Sequence, residues 1–325
     1  MSEPSDPELE SREQPNPEEY TFDLEASLAS VVSLRSQVPE DALTASVLGT
    51  ERAGHGVIIA DDGLVVTIGY LITEAESLWI TTNAGVTVPG HVVGYDQETG
   101  FALVQALQPM GSPSMALGDS SALQVSDELI TAGHGGLDHA IKTIVIAKRE
   151  FAGYWEYVLD EALFTAPPHP NWGGAALISE DGELLGIGSL LVQQIGEGGE
   201  QSGANMIIPI DLLKPILDEL RMYGKRSSAP RPWLGFLVQE VSHHLVVSGI
   251  YDDCPADIAG LQVGDVLREV EGEPISGLAE LFRRIWRTGD AGVDISLTIM
   301  RHRESMSVTV HSTDRDSCLK SASVH

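Results

Sequence analysis

The stretch PNWGGAALISEDGELLGIG, residues 170–188, decides how the chain is read. Its glycine pair, Gly173-Gly174, permits close backbone approach and unusual φ in a tight corner. Two apolar runs follow, GAALIS and ELLGIGSLL, and both read as strands. Immediately ahead of the pair stands Trp172, whose only polar atom is an indole N–H. That group donates a hydrogen bond but has no nucleophilic lone pair.

Strand signals continue on both sides of this stretch. Upstream lie GHGVIIADDGLVVTIGYLI (54–72), SLWITTN (77–83), VTVPGHVVGYD (86–96) and FALVQAL (101–107). Asp62-Gly63 between two Val/Ile runs is a hairpin signal. DELITAGHG, HAIKTIVIAKRE and WEYVLDEALFTA form a second set leading into residue 170. Strands recurring every 8–12 residues without long helices predict a sandwich or a pair of barrels. Downstream, PIDLLKPILDELRMYG (209–224) has helical apolar spacing, with Gly224 as a stop signal.

The polar linker KRSSAPRP (225–232) then opens a second unit, residues 233–313. Its strands are WLGFLVQEV, LVVSGIY, DVLREVEG, DISLTIMR and SMSVTVHS, with one clear helix, LAELFRRIWRT (278–288). Residues 1–23 are rich in Pro, Glu and Ser and are expected to be disordered, because they cannot bury enough surface to offset ordering entropy. The tail 314–325 is expected to be flexible.

With 48 acidic against 19 basic residues, the net charge of −29 argues against nucleic acid or an anionic membrane as partner. Neutralising phosphates takes clustered Lys and Arg. Cys254 and Cys318 have no metal-ligand spacing, and no disulfide between them is expected. The N-terminus has neither a basic start nor an apolar core, and no run of about 18 apolar residues occurs. No membrane span is expected, and a cytoplasmic location follows.

Residues 170–188 resemble the G-N-S-G-G-P-L region of trypsin-like proteases of the HtrA (high-temperature-requirement) family. Four further blocks resemble that family in order and spacing: 54–72, GYDQETGFALVQA (94–106), MALGDSSALQVSDELITAGH (115–134) and NMIIPIDLLKPILDEL (205–220). In residues 233–313, WLGF (233–236), CPADIAGLQVGDVLREVEGEPI (254–275) and the helix at 278–288 are similar to the PDZ domain of these proteases. The resemblance implies a mainly β chain: a trypsin-like double β-barrel over 24–224, then an α/β PDZ domain over 233–313, sandwich-like with one main helix.

Carried over residue by residue, the resemblance puts the family's catalytic histidine at Tyr70, its aspartate at Gly100 and its serine at Trp172. A phenol titrating near pH 10 is a poor base at neutrality, and glycine has no side chain. The oxyanion-hole donor two residues before the nucleophile falls on Pro170, which lacks an N–H. Losing one such donor typically costs about 10²–10³ in rate. His55, His134, His139 and His169 show no metal-ligand spacing, so neither a metal nor another cofactor is expected.

These replacements lead to the expectation of a protein that is not an enzyme, a pseudoprotease in which Trp172 fills the vacated cleft. An active serine endopeptidase with relocated catalytic residues is the alternative. In the PDZ unit the resemblance implies binding of C-terminal or extended peptides by strand addition. Trp233, Leu234, Gly235 and Phe236 are the expected carboxylate loop, with Phe282 and Ile285 lining the groove. An adaptor, regulatory or chaperone-like role in protein quality control follows. Family members form trimers through N-terminal segments, so a homo-trimer, or a hetero-oligomer with an active paralogue, is the expected assembly, with Tyr20 and Phe22 as candidate contacts.

Overall fold

The computed structural model describes residue 9, residues 11–195 and residues 201–320. Two compact units emerge: residues up to Arg149 with Glu161–Arg226, and Glu150–Asp160 with Ser227 onward.

The first unit holds two closed six-stranded barrels, as a double-barrel reading requires. The first barrel runs β1 (Val31–Gln37), β2 (Glu51–Ile58), β3 (Leu64–Ile68), β6 (Phe101–Ala106), β5 (Thr87–Tyr95) and β4 (Ser77–Thr81). Every residue of β3 is buried, and its centre pairs Val66 with Leu103 of β6. The Asp62-Gly63 signal is a true hairpin, with Gly63 at φ 84° and Leu64 N–H donating to Asp62 Oδ1 at 3.3 Å.

The second barrel orders β10 (Ala176–Ile178), β11 (Leu184–Ile195), β12 (Gln201–Pro209), β9 (Tyr157–Ala166), β8 (Ala140–Gly153) and β7 (Glu128–Ala132). A register shift between Gly188 and Leu190 bends β11 where it passes the Gly173-Gly174 corner.

The expected helix over 209–224 is shorter. Ile210–Leu212 form a single 3-10 turn, and the helix proper is Leu217–Tyr223. Pro215 lies between them and has no N–H to continue an i to i−4 ladder. Gly224 ends the helix in the left-handed region at φ 73°, donating to Leu220 O.

In the second unit the sheet order is β13 (Phe236–Val241), β14 (His244–Ile250), β15 (Val266–Val270), β17 (Asp294–Arg301) and β18 (Glu304–His311), with β16 (Glu273–Pro274) on β15. β13 is therefore an edge strand. The helix Leu278–Trp286 turns Leu281, Phe282 and Ile285 inward, each fully buried, while Glu280 and Arg284 pair on the outer face. Burying each large apolar side chain contributes roughly 1.5–3 kcal/mol. Leu234, Phe236, Val238, Phe282, Ile285 and, from the 150–160 segment, Val158 share this core.

The termini differ in part from expectation. Residues 1–8, 10 and 321–325 lie outside the described residues. Within the segment expected to be disordered, Pro17–Glu19 form a turn capped by Asn16, and Lys142 N–H donates to Glu13 O at 2.8 Å. The Lys142 ammonium pairs with Glu13 and Glu19 at 2.9 and 2.7 Å. Order here comes from backbone and charge contacts to β8, which a count of apolar residues does not register. Phe22 rests against Gly182 of its own unit. Arg315–Cys318 form a 3-10 turn in the tail expected to be flexible. No helix among the described residues is long and apolar enough to cross a membrane.

Candidate functional site

Positions 70, 100 and 172 converge in the first unit. Tyr70 lies in the 3-10 turn Gly69–Leu71 after β3, and its Oη donates to Ser189 O at 2.8 Å. The Trp172 indole hydrogen-bonds to the same side chain. Burial raises the Tyr70 phenol above its ordinary range, and the Trp172 contact acts in the opposite direction as a lesser effect. Gly100 occupies the β5–β6 turn at φ 86°, and its carbonyl accepts Gly69 N–H at 2.7 Å.

The glycine corner fits its neighbours tightly. Gly174 has φ 80°, and a Cβ there would lie 1.9 Å from His55 O. A Cβ on Gly173 would lie 2.8 Å from Tyr70 Oη. The Gly173 carbonyl accepts His55 N–H at 2.8 Å, tying the corner to β2. Trp172 itself is only half-buried.

Two neighbouring histidines, His55 and His169, are held by backbone hydrogen bonds. His169 is fully buried. Asn171 N–H donates to its Nδ1 at 3.1 Å and its Nε2 faces His139 O at 3.1 Å, so Nε2 carries the proton. Asn205 brackets its backbone, accepting His169 N–H at 2.7 Å. His55 Nδ1 accepts His134 N–H at 3.1 Å. Burial, then His169, His134 and His139, lower the His55 imidazole to about 3, which leaves it neutral at neutral pH. Among the described residues, no group of three or more His, Cys, Asp and Glu is placed to hold a metal ion.

In the second unit the WLGF loop closes on a side chain that sequence reasoning missed. Trp233, Leu234, Phe236, Phe282 and Ile285 are all buried, and Gly235 takes φ 78°. The Glu156 carboxylate accepts Gly235 N–H at 2.9 Å and Leu234 N–H at 3.2 Å, and the Phe236 backbone also bonds to it. Two residues earlier, Tyr154 O accepts Val238 N–H of β13 at 2.9 Å. Glu156 sits at φ 58° at the tip of the β8–β9 hairpin, where Trp155 stacks on Tyr157 at 5.5 Å. Burial pushes the Glu156 carboxyl up to about 7, opposed by the backbone N–H groups of Gly235, Leu234 and Phe236 and by Arg315. The signal for this hairpin was the run Tyr154-Trp155-Glu156-Tyr157-Val158, too aromatic for a solvated turn.

Residues 54–187 match the trypsin-like peptidase domain, and residues 232–311 match the PDZ domain. A probable periplasmic serine endoprotease DegP-like protein of Halomonas elongata is 30% identical over 79% of this chain and 55% of its own length. One of the same description from Pseudomonas putida is 31% identical over 80% and 56%, and the putative serine protease HhoA of Synechocystis is 29% identical over 79% and 69%. The chain spans about half the length of the DegP-like relatives it matches. Among solved structures, HtrA-type protease AlgW with decapeptide has a TM-score of 0.52 at 21% identity, covering 90% of this chain and 98% of that one. At that identity the likeness speaks for the fold alone. The chain is thus a trypsin-like domain followed by a PDZ domain.

Two expectations are corrected by the same matches. The chain was expected not to be an enzyme, yet its relatives are named serine endoproteases, and the family points to an enzyme. The residues at 70, 100 and 172 describe three positions, not turnover by the whole domain. The expected cytoplasmic location is overturned by relatives named periplasmic. A search for a basic start and an apolar core tests for one kind of leader, and compartment does not follow from it.

Proposed function

We propose that the chain is an HtrA-like member of the serine endoprotease family, working on polypeptide in the periplasm and capturing chain ends or extended segments through its PDZ domain. Trp233, Leu234, Gly235 and Phe236 form the carboxylate loop of this reading, and Phe282 and Ile285 back the groove. The observation that carries it is the convergence of backbone N–H groups from Leu234, Gly235 and Phe236 on a single carboxylate. Such a set of donors is suited to a terminal carboxylate, and β13, at the end of its sheet, is suited to an added strand.

The test is a screen of the full chain against two matched decapeptide libraries, one with free C-termini and one amidated. Free carboxylates are expected to be retained and the amides lost. Equal retention of both would show that the loop does not read chain ends.

A further inference from the structure

In this structure the WLGF loop and the edge strand β13 are engaged by residues 150–160 of the same chain. Three features of residues 150–160 match what an incoming chain end would supply. Glu156 brings a carboxylate to the N–H groups of Leu234 and Gly235. Tyr154 O takes the Val238 N–H of the edge strand, the first rung of an added strand. Val158 enters the apolar core beside Phe236, Phe282 and Ile285, where a terminal apolar side chain would go.

The segment is also held at its base. Arg283, on the groove helix, pairs with Glu150 and with Asp160, one on each leg of the hairpin. Gly153 is the position that lets the tip fold over, since a Cβ there would lie 2.7 Å from the Trp155 ring. Glu156 takes a left-handed backbone conformation that few non-glycine residues adopt, which the three N–H bonds to its side chain offset.

We propose that the groove is closed in cis: residues 150–160 act as a built-in pseudo-ligand with Glu156 in place of a terminal carboxylate, and an external chain end binds only by displacing them. The proposal rests on the peptide-binding reading above. It adds a competitor whose local concentration is fixed by the chain, so apparent affinity is lowered by the fraction of molecules with the hairpin docked.

The experiment uses the full chain and fluorescein-labelled decapeptides ending in Val, Leu, Ile or Phe with free carboxylates. Anisotropy titrations compare the unmodified chain with Glu156→Ala and Glu156→Gln. Release of the hairpin is expected to tighten binding by on the order of tenfold for Glu156→Ala, and by less for Glu156→Gln, which keeps an acceptor. Unchanged or weaker binding by Glu156→Ala would overturn the proposal. Should that variant not fold, amide exchange in the unmodified, peptide-free chain decides: slow exchange at Gly235 and Val238 is expected, and rapid exchange there overturns the docking. Failure of every peptide to bind any of the proteins would sink the peptide-binding reading, and displacement with it.

Discussion

At the scale of single residues, the two glycines of the corner and Glu156 are the most constrained positions. Gly174→Ala would put a Cβ on His55 O in a left-handed backbone region, and is expected to cost about 3 kcal/mol or more in urea unfolding. Trp172→Ser alone is expected not to raise casein hydrolysis. A serine there would face Tyr70, whose phenol is held above its usual range, with only a glycine at position 100. A tenfold gain in that assay would contradict the account of the cleft. Glu156 carries a pH dependence of defined sign. Its docked carboxyl is raised from 4.5 to about 7, so docking is fully supported below 4.5 and weakens as pH rises through about 7. Around it stand Arg315 and Tyr251; the tyrosine is raised, so it supplies no titration in that window. Apparent peptide affinity is therefore expected to rise about tenfold or more between pH 5 and pH 8, and to become nearly flat in Glu156→Gln. Tyr70, Trp172 and the WLGF loop stand out in the sequence because each sits in a fixed local pattern, and the first two do meet. His169 does not stand out, since its burial depends on Asn205 in another strand.

At the scale of elements, strands and turns were readable wherever the deciding residues are neighbours. The Val/Ile runs around Asp62-Gly63 announced strands and the hairpin between them, and the run Leu64–Ile68 proves buried at every residue. The helix Leu278–Trp286 was equally plain, because Leu281, Phe282 and Ile285 repeat at helical spacing. Phe282→Ala is expected to cost about 3–5 kcal/mol in urea unfolding of this unit, as a fully buried aromatic removed from a packed core. The 209–224 segment was misjudged in length because periodicity hides the one residue, Pro215, that has no N–H to give. The β8–β9 tip was missed for a different reason. Its partner lies 78 residues further along the chain, at Leu234, and no local pattern encodes that distance.

At the scale of the whole molecule, composition set limits but chose no function. Mainly β architecture with two barrels and a PDZ sheet followed from strand spacing and the block resemblance, and the topology agrees. Activity and compartment did not follow, because the residues at three positions and the composition of one short stretch are local facts. The net charge of −29 has a consequence of its own. A lysine-rich peptide is expected to associate faster at low salt and to slow as ionic strength rises, whereas an acidic peptide shows the reverse. Stopped-flow anisotropy at two salt concentrations measures both.

The most direct measurement is a crystal structure of the full chain with the tightest decapeptide from the free-carboxylate library. The peptide's terminal carboxylate is expected within hydrogen-bond distance of Leu234 and Gly235 N–H, with the peptide strand on β13 and Glu156 withdrawn from the loop. A peptide bound elsewhere, with Glu156 still holding those two N–H groups, would contradict the account.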